Sequence, residues 1–596
     1  MISMFPPALV LIIGALIIPF LKGRARSAYM LILPVVAFFV LQSIPEDTYG
    51  LMRFLNNDLS LRIDQLSLVF GYAFILITFI GTIYALHVKD LGEQVASYVY
   101  AGSALGVVFA GDLISLFVFW ELLTLSATFI IWSRGSKASQ GAGLRYLMVH
   151  IFGGVILLAG IILRVVQTGS TEFGYIGLDT LSSYLILLGF AINAAIPPLH
   201  AWLVDAYPEA SITGTVFLSA FTTKTAIYVL ARGFAGTELL IVLGAIMTVF
   251  PIFFAVLEND LRRVLCYSLI NQVGFMVVGI GIGTALALNG AVAHAFADVL
   301  FKSLLFMAVG AVMYRTGTCK ANELGGLYKT MPITLIFCLV GAASISAFPL
   351  FSAFATKSMI ISATGYEQMT VIFLLLLFAS AGVFHHAGIK IPYFIFFAHD
   401  SGKRPQEAPP NMLIAMGIAA FLCIFIGVYP KTLYSILPYP VHYVPYTPDH
   451  VVSQLLLLFC ASLAFATLMI TRYYPPELHA INLDTDWFYR RGVPRLIALA
   501  GTPLSRLNER LGHAFLEVLP RSLIWFGQNP SAALKIAVDT VLMPFRSESR
   551  KAKAKKEINL AKASSATYVL RPWSIGSAMG SVTLFLAAYL LFYYLF

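Results

Sequence analysis

The sequence predicts an all-α polytopic membrane protein, and three observations carry that prediction. Of its 596 residues, 59% are hydrophobic and only 11% are charged, whereas soluble domains contain about 25% charged residues. Apolar runs of about 18 residues or more recur along nearly the whole chain, and each is long enough to cross about 30 Å of hydrocarbon. The stretches between them are short and contain most of the charge. These features exclude a soluble globular protein.

About sixteen transmembrane helices are predicted in chain order. The first run has no basic residues before it and no small-residue cleavage site, so we expect a retained span and not a signal peptide. Residues 50–64 alternate weakly between polar and apolar side chains, which favours a short extramembrane hairpin. The predicted spans are 4–21, 27–45, 65–87, 94–111, 112–132, 143–168, 181–203, 211–232, 238–257, 264–283, 286–314, 332–363, 369–398, 411–430, 451–471 and 575–596.

The loops that follow spans 1, 5, 11 and 13 are basic, and this sets the expected orientation. All four loops fall on one side of the membrane if both termini lie on the other side. Because basic loops stay in the cytoplasm, we expect both termini outside and a location in the cell inner (plasma) membrane. The basic residues of these loops are Lys22, Arg24, Arg26, Arg134, Lys137, Arg315, Lys320, Lys329, Lys403 and Arg404.

Residues 472–574 form a basic stretch before the last span, 575–596. Basic residues alternate with apolar ones up to about residue 526, as in an interfacial amphipathic helix. The charge run 546–562 suits anionic lipid or an acidic partner, and a solvated linker is the alternative. We therefore expect a cytoplasmic arm on the bilayer surface. The net charge of +10 resides in this arm and the loops, so it does not indicate nucleic-acid binding.

Several ionisable side chains lie inside the apolar runs. Glu121 and Lys224 interrupt spans 5 and 8, and Lys357 interrupts span 12. A charge at a helix centre costs about 2.5–3.5 kcal/mol on insertion, so such residues are candidates for an ion pathway. The alternative is a set of structural salt bridges. Three further residues of span 11 are spaced by four and share one helix face, namely His294, Asp298 and Lys302.

Prolines predict breaks in two of these helices. Pro197 and Pro198 interrupt span 7, and Pro349 interrupts span 12; each frees backbone carbonyls. Broken helices beside buried charges are typical of ion transporters. His200, just after the first break, either joins a proton path or pairs with a freed carbonyl.

The chain offers no cofactor or redox site at the level of sequence. The five cysteines show no CxxC spacing, and no glycine-rich nucleotide loop is present. A metal site at His294 and Asp298 is disfavoured by Lys302 one turn further along the same face. We expect no metal and no cofactor.

Six motifs together resemble the antiporter-like subunits of respiratory complex I, Mrp-type multisubunit cation/proton antiporters and membrane-bound hydrogenases. They are "FWE", "PLHAWLVDAYPEA", "TTKTAIYVLAR", "DLRRVLCYSLINQVGF", "HAFADVLFKSLLF" and "FPLFSAFATKSMI". The resemblance covers about residues 60–430 and is greatest to the D-type subunits of Mrp antiporters. The basic arm and final span are similar to those of the largest complex I antiporter-like subunit.

The resemblance implies a fourteen-helix core with two inverted five-helix repeats. The repeats would be 94–232 and 238–398, after N-terminal spans in 1–93 and before two spans in 399–471. The arm 472–574 and the final helix 575–596 would complete the chain.

The resemblance also implies roles for single residues. Glu121 matches the family's span-5 glutamate, Lys224 the lysine that links two half-channels, and Lys357 the lysine on the exit side. His294 and Lys302 match the polar positions of span 11.

One position departs from the family pattern. Asn193 stands where the family has a lysine, so the Glu–Lys pair of the first half is incomplete. If that half conducts, the expected route runs from Glu121 to Lys224 through water or hydroxyls, with Asn193 orienting the water.

The expected function is a proton/cation-translocating subunit of an Mrp-type antiporter that works with other membrane subunits. H+ is the expected ion and Na+ a second candidate. One alternative is a proton-pumping subunit of a redox complex, either an NADH:quinone oxidoreductase or a membrane-bound hydrogenase, with the redox enzyme in partner subunits. Others are an energy-coupling subunit for inorganic-carbon uptake and a scaffold with inactive channels.

Overall fold

The computed structural model describes residues 6–54, 57–477, 482–528 and 530–563, with isolated positions between 579 and 590. The chain forms two compact units, Met1–Trp487 and Phe488–Phe596. Nearly all of the final span predicted at 575–596 lies outside the described residues.

Helices occupy all fifteen of the other predicted spans. Eleven helices in the described ranges are long and apolar enough to cross a membrane, and three shorter apolar helices accompany them. The helices up to the end of the first repeat are α1 (Pro7–Ile17), α2 (Gly23–Ser43), α3 (Gln65–Tyr84), α4 (Leu91–Phe109), α5 (Leu113–Trp132), α6 (Lys137–Thr168), α7 (Leu181–Asn193), α8 (Ala201–Ala206), α9 (Ile212–Ala220) and α10 (Thr222–Gly233).

The second repeat and the helices after it continue the same pattern. A π-helical stretch follows α16 and extends its span to Phe397. The helices are α11 (Glu238–Leu257), α12 (Leu261–Ile282), α13 (Ala285–Thr316), α14 (Pro332–Ile345), α15 (Ser352–Tyr366), α16 (Thr370–Val383), α17 (Lys390–Pro392), α18 (Pro410–Val428), α19 (Lys431–Tyr434) and α20 (Pro448–Ile470).

The predicted hairpin is present between α2 and α3. Strand β1 (Asp47–Phe54) pairs antiparallel with β2 (Asn57–Ile63). The chain therefore leaves the helical pattern where the sequence alternates between polar and apolar residues.

The two repeats start their second helices in the same way. Asp112 caps α5 by accepting from two backbone N–H groups, and Asp260 does the same for α12. Such a cap satisfies amide groups that the first helical turn leaves without partners. The third helices match as well, because α6 and α13 each have 32 residues and end at a left-handed glycine. This shared local chemistry marks the internal repeat.

Each repeat has a broken fourth helix at the predicted prolines. The chain leaves α7 and α14 through an alanine with positive φ, Ala195 at 57° and Ala347 at 56°. The carbonyl freed before each break accepts a hydrogen bond from a side chain that follows it. Trp202 Nε1 donates to Ile192 O at 2.9 Å, and Lys357 Nζ donates to the carbonyl of the last α14 residue at 3.1 Å.

The segment after α20 is attached to the first unit. Glu477 pairs with Lys390 at 2.9 Å, and Asp484 pairs with His200 at 3.0 Å. Residues 472–487, which the sequence assigns to the arm, therefore belong to the unit of the membrane helices.

The second unit, taken by itself, contains the amphipathic helices that the sequence predicts. In its first long helix Leu504, Leu507 and Leu511 follow one another at helical spacing, whereas Arg506 and Arg510 lie on a different face. Its helices are α21 (Val493–Gly512), α22 (Leu519–Gln528), α23 (Pro530–Leu542) and α24 (Glu548–Ala563).

Candidate ion pathway

Five ionisable side chains predicted from the sequence are completely buried within the first unit. Lys224, His294, Asp298, Lys302 and Lys357 each have 0% relative exposure. A buried ionisable group is tolerated only when other polar groups contact it. The contacts of each side chain therefore define the site.

Lys224 and Asp298 form an ion pair that joins the two repeats. Lys224 Nζ lies 2.6 Å from Asp298 Oδ2. It also donates to the carbonyl of Ser219 at 2.9 Å, because the helix is interrupted at Phe221 between α9 and α10. The charge of α10 is thus balanced by the third helix of the other repeat.

Ser268 and Gln272, one turn apart on α12, form hydrogen bonds with Lys302 and His294 of α13. Ser268 Oγ accepts from Lys302 Nζ at 2.9 Å. Gln272 Oε1 lies 3.0 Å from His294 Nε2, and Thr356 Oγ1 lies 3.1 Å from His294 Nδ1. His294 and Asp298 therefore have different partners, and neither contact set resembles that of a metal ligand.

The five completely buried side chains, Lys224, His294, Asp298, Lys302 and Lys357, are called the buried row. Lys357 also lines a cavity. Its Nζ is 3.5 Å from Ser380 Oγ and 5.2 Å from the centroid of the Phe275 ring. The cavity has a volume of about 500 Å³, and its lining includes Lys357, Asp449 and His450. Lys357 therefore links the other buried side chains to the lining of this cavity.

Glu121 lies on α5 against the backbone of α6. A Cβ atom at Gly154 would overlap Glu121 Oε1, so a glycine is required for the carboxylate to pack here. Among the described residues Oε1 has no hydrogen-bond partner, although it is buried. Among the described residues Glu121 forms no ion pair with a lysine.

Gly154→Ala is expected to reduce ion transport about tenfold or more, because an added methyl group displaces the carboxylate and a misplacement of about 1 Å can cost about a hundredfold in rate. Transport by the whole complex in membrane vesicles measures this. Gly141→Ala on the same helix is the control, because a Cβ there meets only the flexible end of Arg145. Equal loss in both variants would contradict the steric explanation.

Asn193 contacts a residue that sequence reasoning missed. His150 Nδ1 lies 2.8 Å from Asn193 Oδ1, and both side chains are 1% exposed. The missed signal is a histidine inside the apolar run of span 6, which should have been treated like the other intramembrane ionisable groups.

His200 contacts the segment after α20. Its Nε2 contacts Asp484 at 3.0 Å, and Tyr267 donates to the same carboxylate at 2.8 Å. Burial raises the pKa of Asp484, but the hydrogen bond and charge of His200, with bonds from Thr485 and Tyr267, outweigh it and leave that pKa below its ordinary value. His200 therefore anchors the segment after α20.

Lys390 is a second buried ionisable residue that the sequence analysis did not identify. Its Nζ donates to the carbonyls of Ala255, Val256 and Glu258 and pairs with Glu477. These carbonyls end α11, where the backbone has no helical partner. The contacts give Lys390 a capping role.

The chain is similar in sequence and fold to known membrane proteins. Residues 110–384 match the family described as NADH:quinone oxidoreductase/Mrp antiporter, TM. The chain is 31% identical over 488 residues to the A-type subunit of the Na(+)/H(+) antiporter of Alkalihalophilus pseudofirmus. The match covers 70% of this chain and 60% of that relative. The chain thus spans about 60% of the length of the curated relative it matches.

Two solved complexes contain chains with the same fold. One is the Mrp complex from Dietzia sp. DQ12-45-1b, with a TM-score of 0.75, 23% identity and coverage of 94% of this chain and 69% of that one. The other is an archaeal respiratory membrane complex, the membrane-bound sulfane sulfur reductase, with a TM-score of 0.66, 23% identity and coverage of 91% and 99%. The chain is therefore a polytopic membrane protein with the fold of the matched chains in these complexes, and its residues 110–384 match the family described as NADH:quinone oxidoreductase/Mrp antiporter, TM.

Proposed function

We propose that this chain is a proton/cation-translocating subunit of an Mrp-type antiporter and that the buried row carries protons. The observation that supports this most directly is the Lys224–Asp298 pair, which joins the two repeats. Beyond it, Lys302 lies one turn along α13 from Asp298, and Lys357 faces a cavity. Protonatable groups thus continue from the junction of the repeats toward water.

The energetics of one ion pair match the work of moving one proton. Two unit charges 4 Å apart interact by about 4 kcal/mol at an effective dielectric of about 20. Moving one charge against about 150–200 mV costs about 3.5–4.6 kcal/mol. A change of partner at Asp298, between Lys224 and Lys302, is therefore large enough to release or capture one proton.

The proposed proton route runs between the cavity at Lys357 and the Lys224–Asp298 pair. Lys357 would exchange protons with water in the cavity, and Lys302 would exchange them with the Lys224–Asp298 pair. His294 lies between Gln272 and Thr356 and would relay protons between Lys302 and Lys357. Glu121 would supply the route from the first repeat.

Partners, ions and orientation are part of the same proposal. Val118, Leu125 and Phe129 form an exposed apolar stripe on α5 beside Glu121, and either lipid or a neighbouring membrane subunit would cover it. Both termini would lie outside the inner membrane and the arm in the cytoplasm, because basic loops stay on the cytoplasmic side. H+ is the proposed ion, and Na+ is a second candidate.

The second candidate is a proton-pumping subunit of a redox complex. The matched chain of the sulfane sulfur reductase complex is covered over 99% of its length, whereas the curated antiporter relative is covered over only 60%. The extent of the match to a chain of a respiratory complex supports this second candidate. Its redox cofactors would belong to partner subunits.

Purification of the tagged full chain in mild detergent distinguishes these functions. Small membrane partners without redox centres support the antiporter, and flavin or Fe–S subunits support the redox complex. A soluble partner with inorganic-carbon uptake activity would favour an energy-coupling subunit for inorganic-carbon uptake. The copurified subunits are identified by mass spectrometry and by the visible absorption of flavin and iron–sulfur centres.

Glu121→Gln is expected to reduce transport about tenfold or more while the complex still assembles, because the amide keeps the shape but cannot exchange a proton. Cation-driven pH changes in everted vesicles measure this. Glu238→Gln is the control, since Glu238 is an exposed carboxylate at the start of α11. Wild-type transport by an assembled Glu121→Gln complex would exclude Glu121 from the pathway.

A further inference from the structure

Among the buried polar atoms of the first repeat that lack partners within the described residues, three lie on consecutive helices. They are Glu121 Oε1, His150 Nε2 and Asn193 Nδ2, on α5, α6 and α7. Buried polar groups without partners cost free energy, so a native structure retains them for a reason. Their position on three adjacent helices indicates one small polar site.

His150 projects from the side of α6 against which the Glu121 carboxylate packs. Gly154, against which the carboxylate packs, lies four residues after His150, which is about one helical turn or 5.4 Å. The imidazole is fixed between Tyr146 and Trp202, with ring centroids at 4.1 and 4.4 Å. Asn193 Oδ1 accepts from Nδ1–H, so Nε2 is the ring nitrogen left for proton exchange.

The internal repeat places His150 at the position of Asp298. His150 is the fourteenth residue of α6, and Asp298 is the fourteenth residue of α13, where each helix has 32 residues. Asp298 carries the ion pair that joins the repeats. An ionisable side chain thus occupies the same register in both third helices.

We propose that His150 carries the proton of the first repeat, in place of the lysine that Asn193 replaces. Asn193 is its positioning residue, because its amide oxygen holds Nδ1–H and keeps Nε2 free. This inference rests on the proposed function, and it assigns the proton carrier of the first half of the route.

In this proposal the Nε2 nitrogen of His150 both accepts and releases the proton. Neutral Glu121 releases its carboxyl proton through water to Nε2, which leaves a carboxylate and an imidazolium. Nδ1–H stays bonded to Asn193 throughout. The imidazolium then releases the Nε2 proton toward the hydroxyls of Tyr146 and Thr222, 3.5 Å apart. Lys224, two residues after Thr222, accepts this proton after its ammonium group has passed its own proton to a neutral Lys302.

Within the described residues, no charged group forms a hydrogen bond, ion pair or ring contact with the imidazole. Its ring contacts are Tyr146 on its own helix, Trp202 on α8 and Asn193 on α7. The Glu121 carboxylate is the charged group that faces the same side of α6. Transfer between Glu121 and His150 therefore has no competing charged acceptor within these contacts.

The test uses His150→Gln and His150→Asn in the full complex. Both keep hydrogen-bonding capacity near Asn193 but cannot carry a proton, so each is expected to reduce transport about tenfold or more in an assembled complex. Adding Asn193→Lys to either variant is expected to restore transport, because a lysine at residue 193 supplies a new proton carrier. A purely structural role of His150 would not be rescued by that lysine.

His87→Gln is the matched control. His87 also forms a histidine–asparagine contact, at 3.1 Å to Asn411, but lies after α3 and outside the route. We expect its transport to equal that of the wild type. Assembly of every variant is checked by the size of the purified complex.

Wild-type transport by an assembled His150→Gln or His150→Asn complex would overturn the proposal. So would a loss that Asn193→Lys does not restore. Glu121→Gln and Lys224→Ala, measured in the same vesicles, separate this failure from failure of the proposed function. If those two variants lose transport while His150 variants keep it, only the role of His150 is wrong, and if all keep it, the proposed function is wrong.

Discussion

Asp298→Asn is expected to abolish ion transport and to destabilise the membrane unit. The substitution leaves the Lys224 ammonium group buried without its counter-charge. Removing one partner of a buried pair costs about 3–5 kcal/mol, because the remaining charge keeps its full desolvation penalty. Transport in vesicles and the thermal midpoint of the purified complex measure the two effects.

A double substitution separates the two consequences. Lys224→Met with Asp298→Leu removes both charges, and replacing a buried pair by apolar residues is often neutral for stability. We expect this variant to regain stability but not transport. Glu323→Gln is the control, because it breaks an exposed contact with Lys320, where surface pairs contribute about 1 kcal/mol or less. Transport by the double variant would show that the pair is structural.

Lys357→Ala is expected to reduce transport about a hundredfold, an effect equivalent to about 2.7 kcal/mol in the barrier. Lys357 contacts both the freed carbonyl of Ile345 and the cavity beside α15, so its loss separates the buried row from water. Lys357→Arg should reduce transport less, because arginine keeps the positive charge and the carbonyl contact. It should not restore transport, because its pKa above about 12 prevents release of the proton.

Transport rates and complex recovery for the two Lys357 variants are compared in the same vesicles. Lys329→Ala provides the control, since Lys329 is exposed and pairs with Asp400 on the surface. Full transport by the arginine variant would mean that a fixed charge suffices at this position. A proton-exchanging role for Lys357 would then be wrong.

The sequence by itself determined the membrane class, the span positions and most members of the buried row. Hydrocarbon thickness fixes the length of each apolar run, and the cost of intramembrane charge makes Glu121, Lys224 and Lys357 conspicuous. The prolines located both helix breaks, because a proline cannot continue the backbone hydrogen bonds. These signals are local in the chain.

Tertiary structure decided which of these residues meet. Lys224 pairs with Asp298 from the other repeat, and Asn193 holds His150, which lies 43 residues earlier in the chain. Glu121 packs against Gly154, a contact that no spacing in the sequence indicates. Spacing of four along one helix shows that side chains share a face, but the neighbouring helix that this face meets depends on packing between distant segments. For that reason the partner of each buried charge, and with it the course of the row, is a property of the folded chain.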